Sequence, residues 1–216
     1  DRIGWLYHHQ HDNPDGLGDD GSWRNSWNLH ENDSWNPKTD VRGTSPWMTE
    51  NMIDGLWHGW LVAGDKRIPG MITDFGRYME HHAWIDPKLL VKPHDWRNPC
   101  SGPDGQISWY WSSAHASTAQ LLKIQDSEGW YSDGHNVELM LPIATAYYFE
   151  TDPAQSAALK RRLTALGSSY NTACAEISST LRRFNWNNRG SGVVQWLVHQ
   201  PAGAGTLPPA PKHVPD

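Results

Sequence analysis

Basic residues are few in this chain. Eighteen Lys and Arg stand against 24 Asp and Glu, a net charge of -6 over 216 residues. Binding nucleic acid through its phosphates needs a concentrated basic footprint, so no nucleic-acid partner is expected. Long apolar runs are missing too. None approaches the roughly 18 residues that a membrane-spanning helix requires, so no membrane span is expected. The opening, DRIGWLYHHQ, lacks the basic and then apolar segments of a secretion leader and reads as a mature or excised chain. Cysteine is down to Cys100 and Cys174, far apart and outside any CxxC pattern, which excludes a zinc ribbon or a dithiol redox site. The pair leaves two alternatives open, one disulfide in an oxidising compartment or two separate thiols. Twelve histidines occur without an HExxH arrangement, the helical zinc signature.

Phenylalanine is scarce at three residues, whereas tryptophan reaches 14. The aromatic content is therefore skewed toward rings with a polar edge, which suit sugar stacking and wet interfaces as well as cores. Around these rings the apolar residues recur at helical spacing. In SPWMTENMIDGLWHGWLVAGD the residues Met48, Met52, Ile53, Leu56, Trp57, Trp60 and Leu61 share one face, and the helix is expected to end near Gly64. Asp65 is placed to cap a second helix carrying Ile68, Met71, Ile72, Phe75 and Met79, with Pro69 in its first turn. The same grammar returns in HNVELMLPIATAYYFETDPAQSAALKRRLTALG, where Asp152 and Pro153 separate an apolar helix from an amphipathic one. A further helix is expected over NTACAEISSTLRRF. Strand alternation is rare, so the chain reads as all-α, built of helical hairpins with long Gly/Pro/Asp-rich loops. Residues 1–200 form the expected domain and 201–216, rich in Pro, Gly and Ala, an extended tail.

The stretch HHQHDNPDGLGDDGSW, from His8 to Trp23, fits this grammar as a turn: a short helix ends in Gln10, a Gly/Asp loop follows, and a tryptophan closes it. TAQLLKIQDSEGW repeats the order with Gln125, Gly129 and Trp130, and VVQWLVHQPAGAG supplies a third helix, ending in Gln200, without the tryptophan. Three such units read as an internal repeat. Helix, Gln, Asp/Gly turn and Trp together resemble the turns joining helices in α/α-toroid proteins, a group that includes terpenoid cyclases, polysaccharide lyases and glycoside hydrolases. The DxDD acid motif of the terpenoid cyclases is absent, so the chain is nearest in look to the lyases and hydrolases. The resemblance implies a partial α/α toroid, either complete in itself or a piece of a longer polypeptide.

The acidic loop also invites a metal. Asn13, Asp15 and Gly16 fall at the third, fifth and sixth positions of an EF-hand loop, but His11 and Ser22 stand where its first and last acidic ligands belong. An irregular calcium site from Asp12, Asp15, Asp19 and Asp20 is the expectation if any cation binds, against a solvated turn. Two polar and aromatic clusters open the strongest helices. Thr49, Glu50 and Asn51 follow Trp47, and His135, Asn136 and Glu138 follow Trp130 and Tyr131. Each pattern is also ordinary capping.

In a toroid the starts of the inner helices surround a central cavity, so the resemblance implies a cleft holding Glu50, Tyr131, His135 and Glu138. Its walls would be Trp23, Arg24, Trp47, Asn51, Trp130 and Asn136. The expected function is cleavage of a polysaccharide or oligosaccharide by a secreted or periplasmic protein. Hydrolysis would use Glu50 and Glu138 as the carboxylate pair. β-Elimination would use His135 or Tyr131 as base, with Asn136 or Arg24 neutralising a uronate. The alternative is a non-catalytic helical domain that binds sugar or self-associates.

Overall fold

A computed structural model describes residues 1–32, 36, 38–85, 106–108, 110–121, 139–170 and 190–206. The protein is mainly helical. We number the helices α1 (Arg2–His11), α2 (Trp27–Asn32), α3 (Pro46–Ala63), α4 (Arg67–His82), α5 (Met140–Phe149), α6 (Pro153–Tyr170) and α7 (Ser191–Leu197). Two short antiparallel ladders brace the loops. Asn25–Ser26 pairs with Arg42–Gly43, and Trp84–Ile85 pairs with Gln106–Ile107.

The helix boundaries follow from local chemistry. Asp1 accepts the N–H of Gly4 at 2.9 Å and caps α1. Pro46 opens α3, where its missing N–H costs nothing, and Gly64 ends it at φ 63°, a left-handed conformation that glycine adopts without a Cβ penalty. Asp65 accepts the N–H of Arg67 at 3.0 Å, and Asp152 accepts that of Gln155 at 2.8 Å, so both expected capping aspartates serve the helix that follows them.

α5 is the centre. Among its residues Met140 to Ala146 and Phe149 are buried, so it is apolar on every side, as a helix enclosed by others must be. It packs on α3, α4, α6 and α7. A close approach is at Gly76 of α4, where a Cβ would stand 2.1 Å from that of Ala146. Around this contact Ile53, Leu56, Met71, Ile72, Phe75, Leu159 and Leu163 complete one core. Each such side chain contributes roughly 1.5–3 kcal/mol by leaving water.

Two ion clusters tie the layers. Arg77 of α4 grips Glu150, just beyond α5, through two bonds of 2.7 and 2.8 Å, and Glu150 also accepts the N–H of Asp152. Burial pushes the Glu150 carboxyl up, but these donors outweigh it and hold it below its ordinary range. Glu80 of α4 meets Arg161 and Arg162 of α6 at 3.1 and 3.3 Å. Residues 201–206, expected as the start of an extended tail, instead fold onto α5 with a 3-10 turn at Ala204–Thr206. Gly205 there is buried, and a Cβ on it would lie 2.4 Å from the Phe149 ring.

Candidate functional site

The loop after α1 is held by the protein's own groups. Gln10 is fully buried, and its Nε2 donates to the carbonyls of Gly21 at 2.7 Å and Met71 at 2.9 Å, joining the loop to α4. Trp23 folds back on α1, donating its Nε1–H to the Leu6 carbonyl at 2.9 Å. Between them Gly21, at φ 82°, comes so close to α4 that a Cβ would stand 2.6 Å from the Asp74 carbonyl oxygen. Helix, Gln, Gly turn and Trp thus form one mechanical unit. Gln200 plays no equivalent part: α7 ends at Leu197, and the Gln200 amide bonds the Trp196 carbonyl of its own helix. Gln125 and Trp130 lie outside the described residues.

Arg24 is the pivot of the acidic loop. Its guanidinium, without exposed side-chain surface, binds Asp15 through two bonds of 2.8 Å and pairs with Asp20 at 2.9 Å. Arg24 beside it holds the Asp15 carboxyl down to about 2, against the opposing effect of burial. Asp12 pairs with His8 at 2.8 Å and Asp19 with His11 at 2.7 Å. Asp15, Asp19 and Asp20 also accept backbone N–H groups two residues on, the Asx turns that shape such loops. All four carboxylates expected to hold calcium therefore have a cationic or imidazole partner.

Two cavities flank this loop. The larger, about 400 Å³, lies between α1, α2 and the start of α3. Its lining contains Trp5, Leu6 and His9 of α1, Trp23, Asn25, His30 and Trp111, then Thr44, Ser45, Met48, Thr49 and Met52. Trp5 is 64 % exposed and stacks on His9 with ring centres 5.1 Å apart. Trp111 is buried behind, packed against His30 at 5.1 Å and Trp27 at 5.3 Å. The Thr44 and Thr49 hydroxyls bond each other at 3.0 Å. Ser45 Oγ and Trp111 Nε1 are buried without a hydrogen-bond partner among the described residues. An unsatisfied buried donor costs about 1–3 kcal/mol, and both atoms lie beneath the cavity surface rather than on it.

The smaller cavity, about 200 Å³, lies between the loop and α4. Asp19, Asp20 and Gly21 form one wall, and Asp74, Arg77, Tyr78, His81 and His82 the other. The α4 residues are spaced as a single helical stripe, so His81 and His82, although adjacent in sequence, reach the same space. Burial raises the Asp74 carboxyl, opposed by His11 and Arg77, and burial followed by the neighbouring His81 lowers His82. Among the described residues no three His, Cys, Asp or Glu side chains are grouped to hold a metal ion.

The residues expected at the site divide between these surroundings. Trp23 reaches the larger cavity. Glu50, one turn into α3, is 1 % exposed and is not part of its lining. Trp47 packs against the core, and Asn51 is exposed with its amide on the Trp47 carbonyl. Arg24 is committed to Asp15 and Asp20. Tyr131, His135, Glu138, Trp130 and Asn136 lie outside the described residues, as do Cys100 and Cys174. Sequence reasoning overlooked Trp5 and His9, whose spacing of four on α1 places both rings on one face and could have flagged them. His30 and Trp111 carry no such local signal, because only the fold brings them to the cavity. No family model matches the chain, and no curated protein or solved structure does either.

Proposed function

We propose that this is a carbohydrate-active protein, secreted or periplasmic, that takes a polysaccharide or oligosaccharide into the cavity beside α1 and α3 and cleaves it by hydrolysis or β-elimination. Its architecture on this reading is a partial α/α toroid. The observation that carries the proposal is the larger cavity itself. Its volume suits a ligand of one or two sugar rings, an exposed tryptophan stands at its edge, and hydroxyl, amide and imidazole groups share its lining with apolar ones. Apolar ring faces stack on the sugar's C–H faces while the polar groups read its hydroxyls.

The chemistry would be supplied in one of two ways. A hydrolase would set Glu50 against Glu138, and a lyase would use Tyr131, His135 or a cavity histidine as base. The described lining favours the second. It offers His9 and His30 and no carboxylate, and Glu50 is buried and not part of it. The same feature supports the alternative, a non-catalytic domain that binds sugar or self-associates. Calcium at Asp12, Asp15, Asp19 and Asp20 would have to displace Arg24, His8 and His11, so only weak binding is expected. A melting temperature that climbs several degrees from excess chelator to millimolar calcium would reverse that expectation.

The test is a panel of neutral and acidic polysaccharides followed by reducing-end release and by absorbance at about 235 nm, where the unsaturated uronate left by elimination absorbs. New reducing ends with growing absorbance identify a lyase, and new ends alone a hydrolase. Binding without either supports the non-catalytic alternative, and neither binding nor product rejects the carbohydrate reading.

A further inference from the structure

We infer that the proline-rich segment at residues 207–211 docks on an aromatic face formed by Trp60, Tyr148 and Trp196, so that the chain covers this face with its own tail.

The face lies where α3, α5 and α7 come together. Tyr148 is at its centre, with its ring 5.5 Å from that of Trp196 and 6.2 Å from that of Trp60. Trp57, which is buried, packs against Tyr148 at 5.6 Å and Trp196 at 6.4 Å. Trp196 is 49 % exposed, and Trp60 and Tyr148 are half-buried. Contiguous apolar surface of this kind marks a contact site.

The chain itself arrives at this face. Gly203 donates its N–H to the Tyr147 carbonyl at 3.4 Å, and a Cβ on Gly205 would lie 2.6 Å from the Tyr148 ring as well as against Phe149. Thr206 is thereby set down beside Tyr148, and the residues that follow it read LPPAP. At about 3.1 Å per residue in the polyproline II conformation, five residues span roughly 15 Å, enough to cross all three rings. Where the chain enters α7 it is further away. Gly190 rests on Leu141, seven residues from Tyr148 along α5 and so about 10 Å from it.

The chemistry of the segment suits the face. Pro208 and Pro211 stand three apart, one full turn of polyproline II, and so share a side. Proline has no N–H, so its ring can lie on an indole or phenol without stranding a donor. Its fixed φ also lowers the entropy lost on docking. Aromatic-lined grooves take PxxP segments for these reasons.

The experiment follows the indole N–H resonance of Trp196, assigned by its loss in Trp196→Phe. Ending the chain after Thr206 should shift this resonance, and a synthetic peptide of residues 207–216 should return it saturably toward its position in the full chain. The full chain should bind the same peptide on the order of ten-fold more weakly, because a tail tethered beside the face competes at an effective concentration near millimolar. Pro208→Ser combined with Pro211→Ser, which shortens nothing, should shift the resonance as truncation does. A Trp196 resonance that is the same in the full and shortened chains overturns the inference. Peptide binding equally tight to both forms would mean that the face is open to proline-rich segments of other molecules, and also overturns it. A full chain with the mass of a dimer by light scattering, and a Trp196 resonance that moves on dilution, would assign the face to a second copy instead.

Discussion

The cavity beside α1 and the start of α3 encloses about 400 Å³ between tryptophans, methionines and hydroxyls. The cavity on the other side of the same loop encloses about 200 Å³ between carboxylates, imidazoles and one arginine. A single structural unit separates them, since Trp23 faces the first while Asp19, Asp20 and Gly21 face the second. Their polar groups differ in state. In the charged cavity Arg77 is held by Glu150, His81 lies 3.3 Å from Glu80, and Asp20 is shared by Arg24 and His115. Behind the aromatic cavity Ser45 Oγ and Trp111 Nε1 are buried with no partner among the described residues. A dense ion cluster satisfied from within is how a loop is fastened. An open cavity edged by an exposed aromatic ring leaves room for a ligand instead.

The comparison breaks most visibly if the shared loop is released. Arg24→Ala removes the main cation of Asp15 and Asp20, leaving them Arg42 at 3.6 Å and His115 at 3.2 Å, and removal of one partner from such a cluster costs about 3–5 kcal/mol. Urea melts should register that loss, and both cavities should deform together. A variant within about 1 kcal/mol of the parent would mean that the loop is not fastened by this cluster.

Acid should act through the same cluster. The Asp15 carboxyl sits at about 2 in the folded protein against an ordinary 3.8. A depressed carboxylate stabilises the fold fully above its unfolded value and loses that contribution as the pH falls through its folded one. Asp15 therefore contributes on the order of 2 kcal/mol at neutral pH, and this is lost between about pH 4 and pH 2. The stability gap between the parent and Asp15→Asn should be open at pH 6 and close by pH 2. A gap that does not change with pH would detach Asp15 from Arg24.

The smallest expected effect belongs to Asp74. Its carboxyl is raised by burial, so the stability tied to its protonated form is present at low pH and fades as the pH rises and ionisation becomes costly. Asp74→Asn should melt at the parent's temperature or slightly above it at pH 7, with sugar binding unchanged. A marked drop in melting temperature would show that its contacts with His11 and Arg77 outweigh its burial.

Much of this fold could be read in the sequence. The period of Ile53, Leu56 and Trp57 on α3 and of Met71, Ile72 and Phe75 on α4, with Asp65 and Asp152 as capping residues, set the hairpins. Local chemistry decides such features, and local chemistry is what a sequence displays. The loop was legible as a turn, but the partner of Gln10 at Met71, 61 residues away, was not. The repeat drawn from glutamine spacing failed at Gln200 for the same reason, since spacing does not reveal which carbonyl an amide will meet. The larger cavity gathers Trp5, His30, Ser45 and Trp111 from four separate segments, and of the described residues expected at the site only Trp23 lines it. Arg24 shows the converse. A lone arginine in an acidic, glycine-rich loop suggests a ligand contact, yet burial turns it into the loop's own counter-ion.

The claim that the aromatic cavity is the sugar site is tested most directly by affinity electrophoresis through gels cast with each polysaccharide. Trp5→Ala would be run beside the parent and beside Trp196→Ala. Both tryptophans are about half or more exposed, at 64 % and 49 %, so neither substitution should unfold the protein. Trp196 packs with Trp57, in the C-terminal half of α3, and with Tyr148, is not part of the cavity's lining, and serves as the control. The account predicts that at least one polysaccharide retards the parent and Trp196→Ala equally, while Trp5→Ala runs as in a gel without polysaccharide. Retardation of Trp5→Ala equal to that of the parent, or lost only in Trp196→Ala, would contradict it.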